Sequence, residues 1–269
     1  VSINSPIFSP EEHDTQKPAA PPSPRHPEKP VEGARGGRPG AAAGEGTPGR
    51  KQKLRGGMHF LKENSFEQKK RKLEQELTES GLKAVYAEVI WDIIPEINEV
   101  SRRISAECGR QVMDNISWRI KTPESIACKL RRKHREITLD CALETLNDMA
   151  GIRVVCPFQD DVYRMAKAIR KIRSLKVIKV KNYISHPKSS GYRSIHVIGE
   201  VLHNEETVRV EIQVRSVAMN YWAILDHQLF YKNEKKDTEK LRRELKACAI
   251  DIAEIDKRFL KLRKQIEKL

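Results

Sequence analysis

No stretch of the chain is apolar for long enough to cross a membrane, and the N-terminal segment has no apolar core of the kind that directs secretion. Cysteine is sparse and unpaired. Cys108, Cys128, Cys141, Cys156 and Cys248 stand singly with no CxxC spacing, so neither a structural zinc site nor a disulfide framework is indicated. An odd set of scattered thiols suits a reducing, cytoplasmic location. The glycine-rich loops that cradle phosphates in P-loop and Rossmann enzymes are missing, as are a serine nucleophile elbow and a HExxH zinc motif. Proline and glycine become scarce after Met58: ten of 14 prolines and nine of 14 glycines lie before it, in a segment with few large apolar residues. Residues 1–57 therefore read as a disordered, basic, Pro/Gly-rich tail that cannot bury enough surface to offset chain entropy. About 210 residues remain, enough for one core with appended helices.

Charge is abundant, and it is lopsided. Nine basic and six acidic residues before Met58 leave +11 of the net +14 on the remainder. A basic folded part favours polyanionic partners, namely nucleotides, nucleic acid or an acidic membrane surface; the other reading is a solvated charged surface.

Between 60 and 108 the apolar residues recur at helical spacing, as in Val85, Val89, Ile93 and Ile97, with Gly81 and Gly109 at the ends. Pro95 is expected to kink or divide the second helix. From Val112 to Lys121 the pattern alternates like a strand, and Thr122-Pro123-Glu124 opens a helix. Strands are expected at 150–156, 177–184, 192–201 and 208–214, the last two joined as a hairpin through 203–206. Helices are expected at 160–173 and 217–231. This is an α/β (α+β) layer architecture, a mixed sheet flanked by helices. At the C-terminus Leu241, Leu245, Cys248, Ile252, Ile255, Phe259, Leu262, Ile266 and Leu269 recur in strict 4,3 steps, an a/d seam that favours self-association. The chain thus divides into a tail (1–57), a folded α/β domain (58–235) and a C-terminal oligomerisation helix (236–269).

Two carboxylates stand out. Asp148 lies at the entry to the strand at 150–156, and Glu211 lies amid Val210, Ile212 and Val214. Burying either is costly unless it is paired or holds a metal. Two such groups converging would suit Mg²⁺, which takes one or two carboxylates plus phosphate oxygens and waters. The other reading is a pair of salt bridges to the surplus cations Arg119, Lys121, Lys129, Arg153, Lys181, Lys188, Arg193 and Arg215. Ser125 and Lys129 share one face of a helix. Tyr192 follows the small-residue loop Ser189-Ser190-Gly191, where its ring could stack on a base. With Ser194 and His196 it is expected on one face of a strand. Asn220 sits in the first turn of the closing helix, where it could cap that turn or read a base edge.

Five segments in order, Arg119-Ile-Lys-Thr-Pro-Glu-Ser-Ile-Ala-Cys-Lys129, Asp148-Met-Ala-Gly-Ile-Arg153, Gly191-Tyr-Arg-Ser-Ile-His196, Glu211-Ile-Gln-Val-Arg215 and Ala218-Met-Asn-Tyr-Trp-Ala223, resemble the synthetase domain of RelA/SpoT-type enzymes, and more narrowly the small alarmone synthetases. The resemblance covers roughly residues 60–235. It implies a nucleotidyltransferase-like sheet and transfer of the β,γ-pyrophosphate of ATP to the ribose 3′-oxygen of GDP or GTP, making (p)ppGpp and AMP. By matched position it implies Asp148 and Glu211 as Mg²⁺ ligands, with Glu211 as base. Arg119, Lys121, Ser125, Lys129, Arg153 and Lys181 fall on the ATP side. Lys188, Tyr192, Arg193, His196, Gln213 and Asn220 fall on the GDP/GTP side, with Tyr192 stacking on guanine. It also implies association through terminal helices, commonly as tetramers. Three departures stand out: Lys181 replaces a frequent arginine, Lys179-Val-Lys-Asn182 lacks the acid of the long enzymes' motif, and Asp226-His227 replaces Glu-His. No hydrolase signature accompanies these segments, so alarmone breakdown is not expected. A toxin-like enzyme pyrophosphorylating tRNA 3′-ends and a non-catalytic RNA- or nucleotide-binding module are the alternatives.

Overall fold

Two helices precede the sheet in the computed structural model, which describes residues 50–230 and 238–269. The expected tail lies outside the described residues up to position 49, and α1 (Arg50–Glu79) begins ahead of Met58. Gly81 and Gly109 bound α2 (Leu82–Cys108) in left-handed conformations, φ 65° and 64°, which glycine adopts without steric cost. Pro95 does not divide α2: the helix runs through it unbroken. Ile90, Ile93 and Ile97 flank it and are fully buried, so core packing outweighs the lost backbone hydrogen bond. None of the described helices is long and apolar enough to cross a membrane.

The chain then forms β1 (Asn115–Ile120), α3 (Pro123–Arg132), α4 (Leu139–Thr145), β2 (Ala150–Cys156), α5 (Gln159–Ile169), β3 (Lys176–Asn182), β4 (Ile195–His203), β5 (Glu206–Ser216), α6 (Val217–Phe230) and α7 (Thr238–Ile266). Thr122 caps α3, its hydroxyl accepting the Ser125 N–H at 3.3 Å, with Pro123 at the first position. Thr138 caps α4 in the same way. The short α4 has too few residues for a periodic signal and was not expected.

The sheet is mixed, in the order β1-β2-β5-β4-β3. Only β2 and β5 run parallel. Asn204 and Glu205 take positive φ at the two-residue turn of the β4–β5 hairpin, the backbone twist that such tight turns require. Alternation splits the sheet into two faces. One row, Trp118-Ile152-Ile212-Val197-Val180, belongs to the apolar face that packs with α2 and α5. The other face carries the row Ser117-Arg153-Gln213-His196-Lys181 and, two residues on, Arg119-Gly151-Glu211.

β4 starts at Ile195, later than the expected Tyr192. A loop precedes it, closed by hydrogen bonds from Gly191 N–H to Lys188 O (2.9 Å), Lys188 N–H to Tyr192 O (3.2 Å) and Tyr183 N–H to Ser194 O (2.8 Å). Tyr192 therefore reaches the site from a turn rather than from a strand face.

Along α7 the docked side is not the heptad seam. Ala249 and Asp256 are buried, whereas Ile255, Phe259, Leu262 and Ile266 are exposed. Asp256 accepts the Ser216 hydroxyl at 2.6 Å, and Trp222 Nε1–H donates to Leu245 O at 3.0 Å. At the far end Arg263 holds Asp160 at 2.6 Å. Arg110 grips the fully buried Asp161 through two bonds of 2.8 Å and reaches Glu267 at 3.1 Å. This ionic clasp fixes α7 against α5 and the end of α2.

Gly191 has φ 96°, and a Cβ built on it would stand 2.6 Å from the Ala249 Cβ. The Gly191→Ala variant is expected to lose about 1–3 kcal/mol from combined backbone strain and overpacking. Urea denaturation checks this, and a midpoint equal to wild type contradicts it.

Candidate active site

The polar face of the sheet gathers side chains from all five strands, the loop before β4, α3 and the start of α6. Glu211 is the centre. It is buried on β5, and both of its oxygens are satisfied: Oε1 by His196 Nδ1 at 2.9 Å, Oε2 by the Gln213 amide at 2.7 Å. Burial pushes the Glu211 carboxyl up, but the hydrogen bond and charge of His196 and the bond from Gln213 outweigh it and hold it below its ordinary range. It is ionised at neutral pH and can only accept, so His196 Nδ1 carries the proton. The other ring nitrogen, His196 Nε2, shares a hydrogen bond with the Tyr192 hydroxyl, 2.8 Å away. Arg215 donates to that hydroxyl and to Gln213 Oε1, both at 2.7 Å, and to Asn220 Oδ1 at 3.4 Å.

Asp148 is satisfied differently. Lys129 and Lys121 reach its Oδ2 at 2.5 and 3.1 Å, while Oδ1 is buried with no hydrogen-bond partner. Burial raises its pKa, and the two ammonium groups more than reverse that, so the carboxylate stays charged. Burial also lowers the Lys121 pKa. Asp148 and Glu211 are near enough to repel one another. No group of three or more metal-ligating side chains occurs among the described residues. The pair of carboxylates, one with an unused buried oxygen, is a donor set that a hard cation shared with phosphate would complete.

To one side, Arg119 and Arg153 line a small cleft with Trp118, Gly151 and Gln213. Burial, with Arg215 and Arg119 nearby, pushes the Arg153 guanidinium down to about 10, which leaves it charged at neutral pH. Ser125 stands at the first turn of α3, beside Lys121 in sequence and one helical turn before Lys129. To the other side, Tyr192 is half-buried among rings. Tyr183, His196 and Trp222 meet it with centroids 6.0, 5.8 and 6.5 Å away. The Lys188 ammonium lies over it at 4.6 Å and the Arg215 guanidinium at 5.0 Å. Burial lowers the Lys188 pKa. Lys181 stands opposite His196 on the edge strand.

Arg193 does not join this group. Its guanidinium donates to Ile184 O at 2.9 Å, and it lines a crevice with Trp222, Ala249 and Asp256 under α7. The residue after Tyr192 points away because the loop turns there. Asn220 does not cap α6: Ser216 does, its hydroxyl oxygen accepting the Met219 N–H at 3.1 Å. That frees Asn220 to face Arg215. Asn182, where an acid was missing from the motif, closes a turn by accepting from Ile184 and Ser185 N–H. The geometry adds Arg215, Tyr183 and Trp222 to the site. Period-two alternation from Glu211 through Gln213 predicts the placement of Arg215, whereas nothing local marks the other two.

A model of the region found in RelA/SpoT proteins matches residues 118–236. The chain is 36% identical to the GTP pyrophosphokinase YwaC of Bacillus subtilis over 172 residues, 62% of this chain and 82% of that protein. It is 28% identical to the GTP pyrophosphokinase YjbM of the same organism over 186 residues, 68% and 87% of the two chains. Among solved structures, small alarmone synthetase 1 from Bacillus subtilis bound to its product pppGpp superposes with a TM-score of 0.63 at 27% identity, covering 71% of this chain and 98% of that one. Small alarmone synthetase 2 gives 0.59 at 32%, covering 68% and 97%. On both its site geometry and these likenesses, the chain belongs to the RelA/SpoT family, among its small alarmone synthetases.

Proposed function

We propose that the site transfers the β,γ-pyrophosphate of ATP to the ribose 3′-oxygen of GDP or GTP, giving (p)ppGpp and AMP. The observation that carries this reading is Glu211, a buried and ionised carboxylate, standing between an arginine cleft and an aromatic seat. Adenine lies between Arg119 and Arg153, whose planar cations suit stacking on a ring. Lys121, Lys129 and Ser125 take the ATP phosphates. The two lysines already neighbour Asp148, so they can share their donors between it and a phosphate oxygen. Guanine stacks on Tyr192, where the Lys188 ammonium lies in the structure, and Asn220 reads its edge. Lys188 adds charge on the acceptor side, and Lys181 on the ATP side.

Glu211 takes the proton of the 3′-hydroxyl as that oxygen bonds to the β-phosphorus, and the bond from the β-phosphorus to the oxygen bridging the α-phosphate breaks, releasing AMP. His196 keeps Glu211 aimed, and Gln213 holds its second oxygen. Asp148 and Glu211 would hold Mg²⁺, which when bound neutralises charge on the transferring group. Such transfers depend on positioning and charge compensation more than on covalent steps.

Glu211→Gln keeps the shape and most hydrogen bonds but cannot accept the proton. Its rate of 3′-pyrophosphorylated product formation is expected to fall by about a thousandfold, within the range for loss of a general base. Full activity in this variant removes Glu211 from the role of base. Tyr192→Ala is expected to weaken acceptor use by about tenfold to a hundredfold, the value of one base–aromatic stack, with ATP KM unchanged. Tyr192→Phe retains the stack and loses only the hydroxyl held by Arg215 and His196, so its acceptor KM should lie nearer wild type. An ATP KM that rises with the acceptor KM in Tyr192→Ala contradicts the assignment.

The exposed seam of α7 carries self-association. Phe259→Glu with Leu262→Glu changes only exposed residues and is expected to lower the mass measured by light scattering. An unchanged oligomer in that variant removes the seam as the interface.

A further inference from the structure

A second cleft, of about 530 Å³, opens between the Ser189-Ser190 loop, α6 and the first turns of α7. Small-ligand sites occupy about 300–1,000 Å³, so it can hold part of a nucleotide. It begins next to the guanine seat. The Ser190 hydroxyl accepts the Tyr192 N–H at 3.4 Å. A methyl group placed on Gly191 would sit 3.6 Å from the Lys246 Cα, so α7 lies directly against this loop.

The far wall is basic. Arg242 and Arg243 stand four and three residues before Lys246 on α7, so each neighbours it along the helix, and all three line the cleft. Asp226 and Glu239 offset part of that charge, and Asp226 stands within electrostatic reach of both Lys188 and Arg242, linking the guanine seat to the cleft. Three cations, two serine hydroxyls and a single apolar lining residue, Leu245, suit a phosphate chain better than a base or an acyl chain. The chemistry of the acceptor points the same way. With guanine at Tyr192 and the 3′-hydroxyl at Glu211, the 5′-carbon leaves the ribose on another side, and its phosphates need a separate path away from the two carboxylates.

We propose that this cleft receives the 5′-phosphates of the acceptor guanine nucleotide, and that Arg243 and Lys246 read the length of that chain so that the triphosphate binds tightest. The proposal rests on the acceptor assignment above. It makes the C-terminal helix part of the substrate site and assigns the discrimination between GTP and GDP to residues outside the five motif segments.

Equilibrium titration of the full chain with GTP, GDP and GMP tests it. Arg243 and Lys246 are exposed, so replacing them leaves the core intact. In the Arg243→Ala/Lys246→Ala variant, GTP binding is expected to weaken by about tenfold, the value of a lost charge-assisted contact, GDP binding by less, and GMP binding not at all. The charge-retaining Arg243→Lys/Lys246→Arg variant is expected to bind GTP as wild type does. Unchanged GTP binding in the alanine variant, equal weakening for all three nucleotides, or no binding of any of them to wild type overturns the proposal. Turnover on the same samples separates the two readings: length-dependent binding without any 3′-pyrophosphorylated product keeps the cleft and refutes the synthetase activity.

Discussion

A carboxylate on the central strand of a sheet must be kept ionised out of contact with water, and the aromatic half of the site follows from how Glu211 meets that demand. Its two oxygens need donors from fixed directions. His196 and Gln213 are its neighbours across and along the ladder, so the sheet register itself supplies them. Each of those groups then has an acceptor to fill. His196 Nε2 fixes the Tyr192 hydroxyl, and Gln213 Oε1 and that hydroxyl together fix Arg215. A fully connected polar network of this kind holds its members to a single arrangement, because any one left unpaired in the interior costs free energy. The aromatic seat is thus positioned from Glu211 outward.

The contrast with Asp148 bears on the chemistry. Its partners are lysines, compact charges on flexible stems, and one of its oxygens has no partner. Lysines can shift toward an arriving phosphate without breaking a planar geometry. The lysine side of the site is therefore built to redistribute charge, whereas the aromatic side is built from rings, an amide and a guanidinium that hold direction. Pyrophosphoryl transfer asks for both: compensation where charge moves, and rigidity where a hydroxyl must be aimed.

Much of this was legible in the sequence, because alternation and capping are local. The span of β2 and the Thr122 cap match expectation, and the parity of Arg209, Glu211, Gln213 and Arg215 puts them on one face. Local pattern failed where tertiary contact decides. Arg193 is as basic as its neighbours, yet a loop turn sends it under α7. Ser216, rather than Asn220, caps α6 because Asp256, forty residues away, orients its hydroxyl. The docked stripe of α7 includes an alanine, an aspartate and an arginine. Beside the long apolar seam it carries no hydrophobic signal at all.

That stripe and the seam are offset by one residue, about 100° around the helix, so they lie side by side on α7. Through the docked stripe the helix touches Gly191, Ser216 and Trp222, which adjoin Tyr192, Arg215 and the aromatic seat. Its far end is clasped to α5 and to Arg110. Asp148 and its lysines are not among these partners. A displacement of α7 would therefore reach the aromatic seat first and Asp148 with its lysines only through the sheet. Because the seam is exposed and the stripe beside it is packed, occupation of the seam by a second copy would constrain the helix that backs the acceptor loop. Sheet register sets the arginine cleft, and helix docking braces the aromatic seat. The two sides of the site are therefore held by different parts of the fold: a five-stranded ladder for one, and for the other a loop that meets α7 at Gly191, with α7 itself tied to Ser216 and Trp222 by two hydrogen bonds.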